Sequence, residues 1–215
     1  MTQLADSLKG SQLKNRSSLT FVRYADDFVC LHPEKEVIER AKVILQEWLK
    51  EAGLEISEKK TRITHTSSGF DFLGFNIRQY KVGKYNSGKS RNGKRLGFKT
   101  LIKPSKDKVK KHYEKIAEVI SSYNSAPQRA MVLRLNPIIR GWAKYYSTGV
   151  SKATFSKLDN LIWQRIKRWC KRRHPNKSAQ WVNDKYFKTV GDKIGYLVTE
   201  LTPSPPMPKS PLLDI

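Results

Sequence analysis

Leu19-Thr20-Phe21-Val22-Arg23-Tyr24-Ala25-Asp26-Asp27-Phe28-Val29-Cys30-Leu31 is the stretch on which the reading of the chain turns. Two runs of β-branched and aromatic residues flank a short acidic break, the pattern of a hairpin whose turn is Ala25-Asp26-Asp27. A helix follows from about Glu34 to Ala52. Val37, Ala41, Ile44, Leu45, Trp48 and Ala52 recur every three or four residues on one face, with Pro33 at the start and Gly53 at the end. Leu54-Glu55-Ile56 and Arg62-Ile63-Thr64 alternate as short strands. Phe70 to Tyr80 reads as a further strand or hairpin, with Gly69 before it and Gly74 inside it.

The pattern changes at about residue 104. Lys81 to Lys99 interleaves Gly83, Gly88, Gly93 and Gly97 with Lys84, Lys89, Arg91, Lys94 and Arg95, which suggests a mobile basic loop or a long flexible hairpin. From Pro104 onward the periodicity is helical. Ser105 is a candidate N-cap, with Val109, Tyr113, Ile116, Ile120 and Tyr123 forming a stripe. A second helix is expected from Pro127 to Leu135, and a third from Asn136-Pro137 through Trp142 and Tyr146 to Gly149. A fourth opens at Ser151 and stops near His174-Pro175, and a short one covers 178–188. The fold class is therefore α+β: antiparallel hairpins plus a helix over 19–103, then an all-helical region over 104–190. Residues 1–18 read as a loop or truncated end, and 191–215 as a disordered proline-rich tail.

Composition narrows the partner. Lys and Arg number 42 against 19 acids, a formal charge of +23. A folded protein carries that self-repulsion most readily when it meets a polyanion. There is no apolar run of membrane-spanning length, and the start MTQLADSLKG does not resemble a signal peptide, so nucleic acid is the expected partner, with neither membrane insertion nor secretion. Cys30 and Cys170 lie far apart in apolar-periodic segments and read as small core residues of a reducing compartment.

Asp26 and Asp27 are the candidate catalytic and metal-binding pair. Adjacent carboxylates at a tight turn repel each other unless a cation or water intervenes. Phosphoryl-transfer enzymes use such pairs to hold Mg²⁺, which accepts one or two carboxylates plus phosphate oxygens. Asp is equally a favoured turn residue, so spacing alone leaves a plain solvated turn open.

Candidate RNA contacts are the basic residues Lys84, Arg91, Lys94 and Arg95 of the glycine-rich stretch, Arg140 and Lys144 beside the Trp142 stripe, and Arg165, Arg168, Lys171, Arg172 and Arg173 near the end of the long helix. Such side chains gain affinity by neutralising phosphates, and Arg adds bidentate contacts. Lys106, Lys108, Lys110 and Lys111 decorate an earlier helix in the same way, and ordinary solvated faces account for part of the set. Trp142, Tyr146 and Trp169 lie on apolar stripes and read as core, leaving Tyr145 and Trp163 open for stacking on bases.

Phe21-Val22-Arg23-Tyr24-Ala25-Asp26-Asp27-Phe28-Val29 resembles the YADD motif of reverse transcriptases, closest to the group II intron branch. Further matches follow in that family's order: Gly53 to Thr61, Phe72-Leu73-Gly74-Phe75, and then Ile139-Arg140-Gly141-Trp142 with Tyr145-Tyr146, Leu158-Asp159, Trp169 and Arg173 to Lys177. The last set resembles the maturase-specific region. The resemblance, over about 19–190, implies a partial palm followed by a thumb and maturase region. It implies Asp26 as the principal Mg²⁺ ligand, Asp27 as second ligand or electrostatic support, and Tyr24 and Ala25 setting the turn beside the primer end. The expected partners are group II intron RNA, template–primer nucleic acid, and an N-terminal reverse-transcriptase half or a second copy. The expected setting is the bacterial cytoplasm or an organelle.

The family's site also needs a carboxylate from an earlier palm strand, and Asp6 lacks the apolar context to supply it. The expected function is therefore RNA binding and splicing assistance, with RNA-directed DNA synthesis only when that half is supplied. An inactive mobile-element remnant and a purely RNA-binding maturase module stand as alternatives. The proline-rich end, without a His/Cys cluster, carries no expectation of target-DNA cleavage.

Overall fold

The computed structural model describes residues 19–83, 85–190 and 193–195. The chain divides into two compact units, the first ending at Leu73 and the second beginning at Gly74. The change in sequence character, by contrast, comes at about residue 104. Residues 1–18, Lys84 and most of the proline-rich tail lie outside the described residues, so the expectations placed on them are not addressed.

In the first unit, strands β1 (Thr20–Tyr24) and β2 (Asp27–Leu31) pair antiparallel, with Phe21 opposite Cys30 and Tyr24 opposite Asp27. The connection is thus two residues, Ala25-Asp26. The expected three-residue turn is corrected: Asp27 is the first residue of β2. Residues opposite each other share a face, so Phe21, Arg23, Phe28 and Cys30 lie on one side, where the Phe21 and Phe28 rings stack at 5.7 Å. The other side carries Thr20, Val22, Tyr24, Asp27, Val29 and Leu31, and of these all but Val29 are exposed. Helix α1 (Lys35–Glu51) buries Ala41 and Leu45, two positions of the expected stripe.

Leu54–Ile56 and Arg62–Thr64 are not strands. They form irregular chain and turns, such as the amides of Lys60 and Thr61 donating to Ser57 O. Leu54 and Ile63 are exposed, and an alternating segment without a ladder partner has nothing to hold it extended. The unit closes with β3 (Phe70–Phe72).

The second unit begins with the hairpin β4 (Phe75–Lys81) and β5 (Phe98–Pro104), with Phe75 opposite Pro104 and Lys81 opposite Phe98. Four helices follow: α2 (Lys106–Ser122), α3 (Gln128–Tyr146), α4 (Lys152–Arg173) and α5 (Ala179–Tyr186). Ser105 is the N-cap of α2, its hydroxyl accepting from the Lys108 amide. The core joins Ile116 and Ile120 of α2, Met131, Val132 and Leu135 of α3, Leu158, Ile162, Ile166, Trp169 and Cys170 of α4, and Val182 and Tyr186 of α5.

Helix α3 runs unbroken through Pro137, where two helices were expected. Proline removes one backbone hydrogen bond and costs about 3 kcal/mol in a helix interior. Here the missing bond falls on the solvent side, because Pro137 and Leu133 are both exposed and the orphaned Leu133 carbonyl can turn to water. Meanwhile Met131, Leu135, Ile138, Trp142 and Tyr146 stay in phase across the proline. Burying each large side chain contributes roughly 1.5–3 kcal/mol, so the continuous stripe outweighs the break.

A second cluster ties the hairpin to the helices. Trp142 contacts His112, Tyr146 and Phe155, while Phe75 of β4 lies 4.9 Å from the Tyr146 ring and 5.4 Å from that of Tyr145. Two glycines make this approach possible. A Cβ at Gly74, where φ is +80°, would sit 2.7 Å from Tyr146 Oη, and one at Gly149 would sit 2.8 Å from Ile102 O. The Val150 amide donates to that same Ile102 carbonyl at 2.7 Å, and the Ser105 amide donates to Gly74 O. After α5, β6 (Lys188–Val190) pairs with β7 (Lys193–Gly195). The expected disorder from residue 191 is thus corrected for 193–195, which are strand.

Candidate functional site

Two groups of residues carry chemistry, one in each unit. In the first, the hairpin fixes the acidic pair. Ala25 takes a left-handed backbone, φ +53°, a conformation costing an L-residue roughly 1–2 kcal/mol, and Arg23 Nε donates to its carbonyl at 2.8 Å. Asp26 does not share the positive φ, so the bend is made at Ala25 and Asp26 is carried at its tip. Asp27 follows on the strand, and both carboxylates are exposed.

That set suits Mg²⁺ in part. The ion is commonly held by one or two carboxylates with phosphates and waters filling its other positions, and two adjacent exposed carboxylates supply that minimum. Among the described residues, no three His, Cys, Asp or Glu side chains come together to hold a metal.

In the second unit, Arg168, Lys171 and Arg172 of α4 are exposed, as are Arg140 and Lys144 of α3. At 3.6 residues per turn Arg165, Arg168, Lys171 and Arg172 share one side of α4. The helix's one acid, Asp159, lies on the opposite side, half-buried, where burial raises its pKa. Ion pairs among the described residues include Lys35–Glu39, Lys110–Glu114 and Lys111–Asp107. Two lysines of α2 are therefore partly neutralised by their own helix, and no described ion pair touches α4.

Two arginines expected as RNA contacts are engaged inside the fold. Arg173 Nη1 donates to Asn124 O at 2.9 Å and Ala126 O at 2.7 Å, and its guanidinium lies 4.7 Å from the Trp169 ring centroid. It clamps the α2–α3 link. Arg165 Nη2 donates to Ser121 Oγ of α2, and its Nε is buried without a hydrogen-bond partner.

The basic stretch after β4 is an ordered extension of the hairpin rather than a loose loop. Ser90 and Lys94 are joined by the Ser90 amide donating to Lys94 O, Leu96 donates to Gly88 O, and Gly88 donates to Phe98 O. Arg91, Lys94 and Arg95 are exposed on it, with the Arg95 guanidinium over the Tyr85 ring at 5.7 Å. Lys84 lies outside the described residues.

The aromatic expectations resolve cleanly. Tyr146 and Trp169 are buried, and the Trp169 Nε1–H is satisfied by Tyr123 O at 3.1 Å. Trp142 is half-buried between the two clusters. Tyr145 is exposed but stacked on Phe75, whereas Trp163 is half-buried with Lys167 Nζ over its ring at 4.7 Å. Cys170 is in the core, where burial raises its thiol pKa to about 12; Cys30 is half-buried and raised to about 11 for the same reason.

One group was missed by the sequence reading. Trp181 of α5 is exposed, with Lys177 Nζ and Lys185 Nζ over its ring at 5.3 and 4.8 Å and the His174 ring 4.9 Å away. The His174 imidazole is held below the usual range by burial and then by the charges of Lys185, Arg173 and Lys177. The available signal was a tryptophan in a short helix with a lysine before its N-cap and another in its last turn.

The family described as Reverse transcriptase (RNA-dependent DNA polymerase) matches residues 1–77, from ahead of the hairpin into β4. The family described as Group II intron, maturase-specific domain matches residues 109–187, which covers most of α2 and all of α3, α4 and α5. No curated protein matches the chain. The acidic hairpin falls within the first match and the basic helices within the second. The chain belongs to the group II intron reverse transcriptase/maturase family.

Proposed function

We propose that the chain binds group II intron RNA through the exposed basic side of α4, with Arg140, Lys144 and the basic hairpin extension adding contacts, and so helps the intron reach the fold in which it splices. The observation that carries this reading is the state of Arg168, Lys171 and Arg172: all three are exposed, on one side of a helix, with no ion pair among the described residues. Cations already paired would have to break those pairs before meeting phosphate; these need not. Neutralising phosphates releases condensed counterions, so affinity should fall steeply with salt. Template–primer duplex is a second ligand for the same charges. The setting that follows is wherever the intron RNA is made, bacterial cytoplasm or organelle; no described helix is long and apolar enough to cross a membrane.

Asp26 and Asp27 would hold Mg²⁺ at the hairpin tip, where the ion would activate a primer 3′-hydroxyl and offset charge on the departing pyrophosphate. The chain's own part is to present two carboxylates on a bend preset at Ala25. RNA-directed DNA synthesis further needs a carboxylate that the described residues do not place beside the pair, so an N-terminal reverse-transcriptase half or a second copy is the expected complement.

The two activities separate by mutation. Asp26→Ala should abolish primer extension by the complemented protein and leave intron-RNA affinity within about twofold. Glu at Arg168, Lys171 and Arg172 together should weaken intron RNA at least about a hundredfold and flatten the salt dependence by roughly 0.7–0.9 in log–log slope per lost phosphate contact. Unchanged affinity in the triple variant refutes the RNA reading, and primer extension surviving in Asp26→Ala refutes the metal reading.

A further inference from the structure

Of the five tryptophans, Trp181 alone is exposed. Its backbone is fixed, because the Trp181 amide donates to the Ser178 hydroxyl that caps α5, and Val182 and Tyr186 of the same helix are in the core. The indole is therefore carried on a helix packed against the core, with part of its surface exposed to water. Its neighbours are cations: Lys177 ahead of the helix and Lys185 in its last turn, neither of which makes an ion pair among the described residues. The acid of this helix, Asp184, accepts from Gln180 Nε2 at 2.9 Å.

Two cation–π contacts of this kind contribute only about 0.5–1 kcal/mol each, which is little return for an indole that keeps 37 % of its surface exposed. A nucleobase stacked on the same ring contributes roughly 1–3 kcal/mol, and every base offers the π-face this requires. The ammonium groups would then be released to the phosphates on each side of the stacked nucleotide.

We propose that Trp181 is a stacking platform for one unpaired base of bound RNA, with Lys177 and Lys185 contacting the adjoining phosphates. The base must be unpaired, since a helical base has both faces covered by its neighbours and shows only its edges. The charges of Lys185, Arg173 and Lys177, which add to burial in depressing the His174 imidazole, make the field a phosphate would enter. This inference rests on the RNA-binding reading above and adds to it a preference for single-stranded segments.

The test uses the full chain, a short single-stranded oligoribonucleotide, and the duplex of the same length. Trp181→Ala should weaken the single strand about tenfold and leave the duplex within about twofold, while Trp181→Tyr, which keeps a ring, should bind both as the parent does. Equal losses on the two probes, no loss on either, or a tenfold loss in Trp181→Tyr would overturn the proposal. Should Trp181→Ala not fold, the emission difference between the parent and Trp181→Tyr decides. That difference must be quenched by the single strand and not by the duplex, and a difference untouched by the single strand counts against stacking. The triple charge reversal on α4 serves as the control. If it abolishes binding while Trp181→Ala does nothing, the platform is refuted and the RNA-binding reading stands; if neither acts, both fall.

Discussion

His112 of α2 is the group through which acid should loosen the helical unit. Its ring is buried and lies parallel to Trp142, with centroids 4.4 Å apart and planes 11° from each other. Burial there lowers its pKa from 6.5 to about 4. A histidine whose native pKa is depressed binds fewer protons folded than unfolded between those two values. Stability is therefore complete above the unfolded pKa and is lost as pH falls from about 6.5 toward 4. A gap of that width corresponds to about 3 kcal/mol in all, of which roughly 2 kcal/mol should be gone by pH 5. Other groups titrate in the same range, so the measurement is a difference. Denaturant unfolding of the parent and of His112→Phe, followed by tryptophan emission from pH 7.5 to 4.5, should give curves that separate by about 2 kcal/mol between pH 7 and pH 5, with the phenylalanine variant the less acid-sensitive. Parallel curves would show that His112 takes up its proton in the folded state without penalty, and the reading of a neutral stacked imidazole would fail.

Two further predictions concern packing. Gly74→Ala must place a methyl group against Tyr146 Oη while adopting a positive φ, so a loss of about 2–3 kcal/mol is expected. Adding Tyr146→Phe removes the clashing oxygen, and a double-mutant cycle should return a coupling of about 1 kcal/mol or more; simple additivity would mean the glycine is required only for its backbone. Arg173→Ala strips the donors from Asn124 O and Ala126 O and should lower stability by about 2 kcal/mol, with RNA affinity of the folded protein changed less than about twofold. Arg173→Lys keeps the charge but not the fork, so restored stability in that variant would show that charge, not the pair of bonds, is what matters.

The hairpin and the helices were legible because their signals are local and repeat. The two apolar runs about Ala25-Asp26 could pair in one way, and the stripes of α1, α2 and α4 needed only a period of 3.6. What failed depended on distant residues. The division at Asn136-Pro137 followed a sound local rule that was overridden by a core reaching across the proline, built from side chains of α2, α4 and α5. Leu54–Ile56 alternates like a strand, yet alternation cannot supply a partner strand. The candidate site divided along the same line. A cationic helix face can be read from sequence, but the sequence cannot separate Arg168, free on the surface, from Arg173, whose acceptors lie in the α2–α3 link. Trp181 was passed over for the complementary reason: tryptophans are usually core, and only burial distinguishes the exception.

The bond from the Val150 amide to Ile102 O fastens the root of the basic hairpin to the approach of α4, and Gly149 brings the two backbones close enough to make it. A fluctuation that lifts β5 must therefore either break this bond or drag the first turn of α4 along, which couples the opening of the two elements into one cooperative event. The side chains at the hairpin's far end, from Arg91 to Gly97, face solvent. A polymer seizing that end would pull on a hydrogen-bonded hairpin whose root is tied to the long helix, so part of the load would reach that helix through the Val150–Ile102 bond.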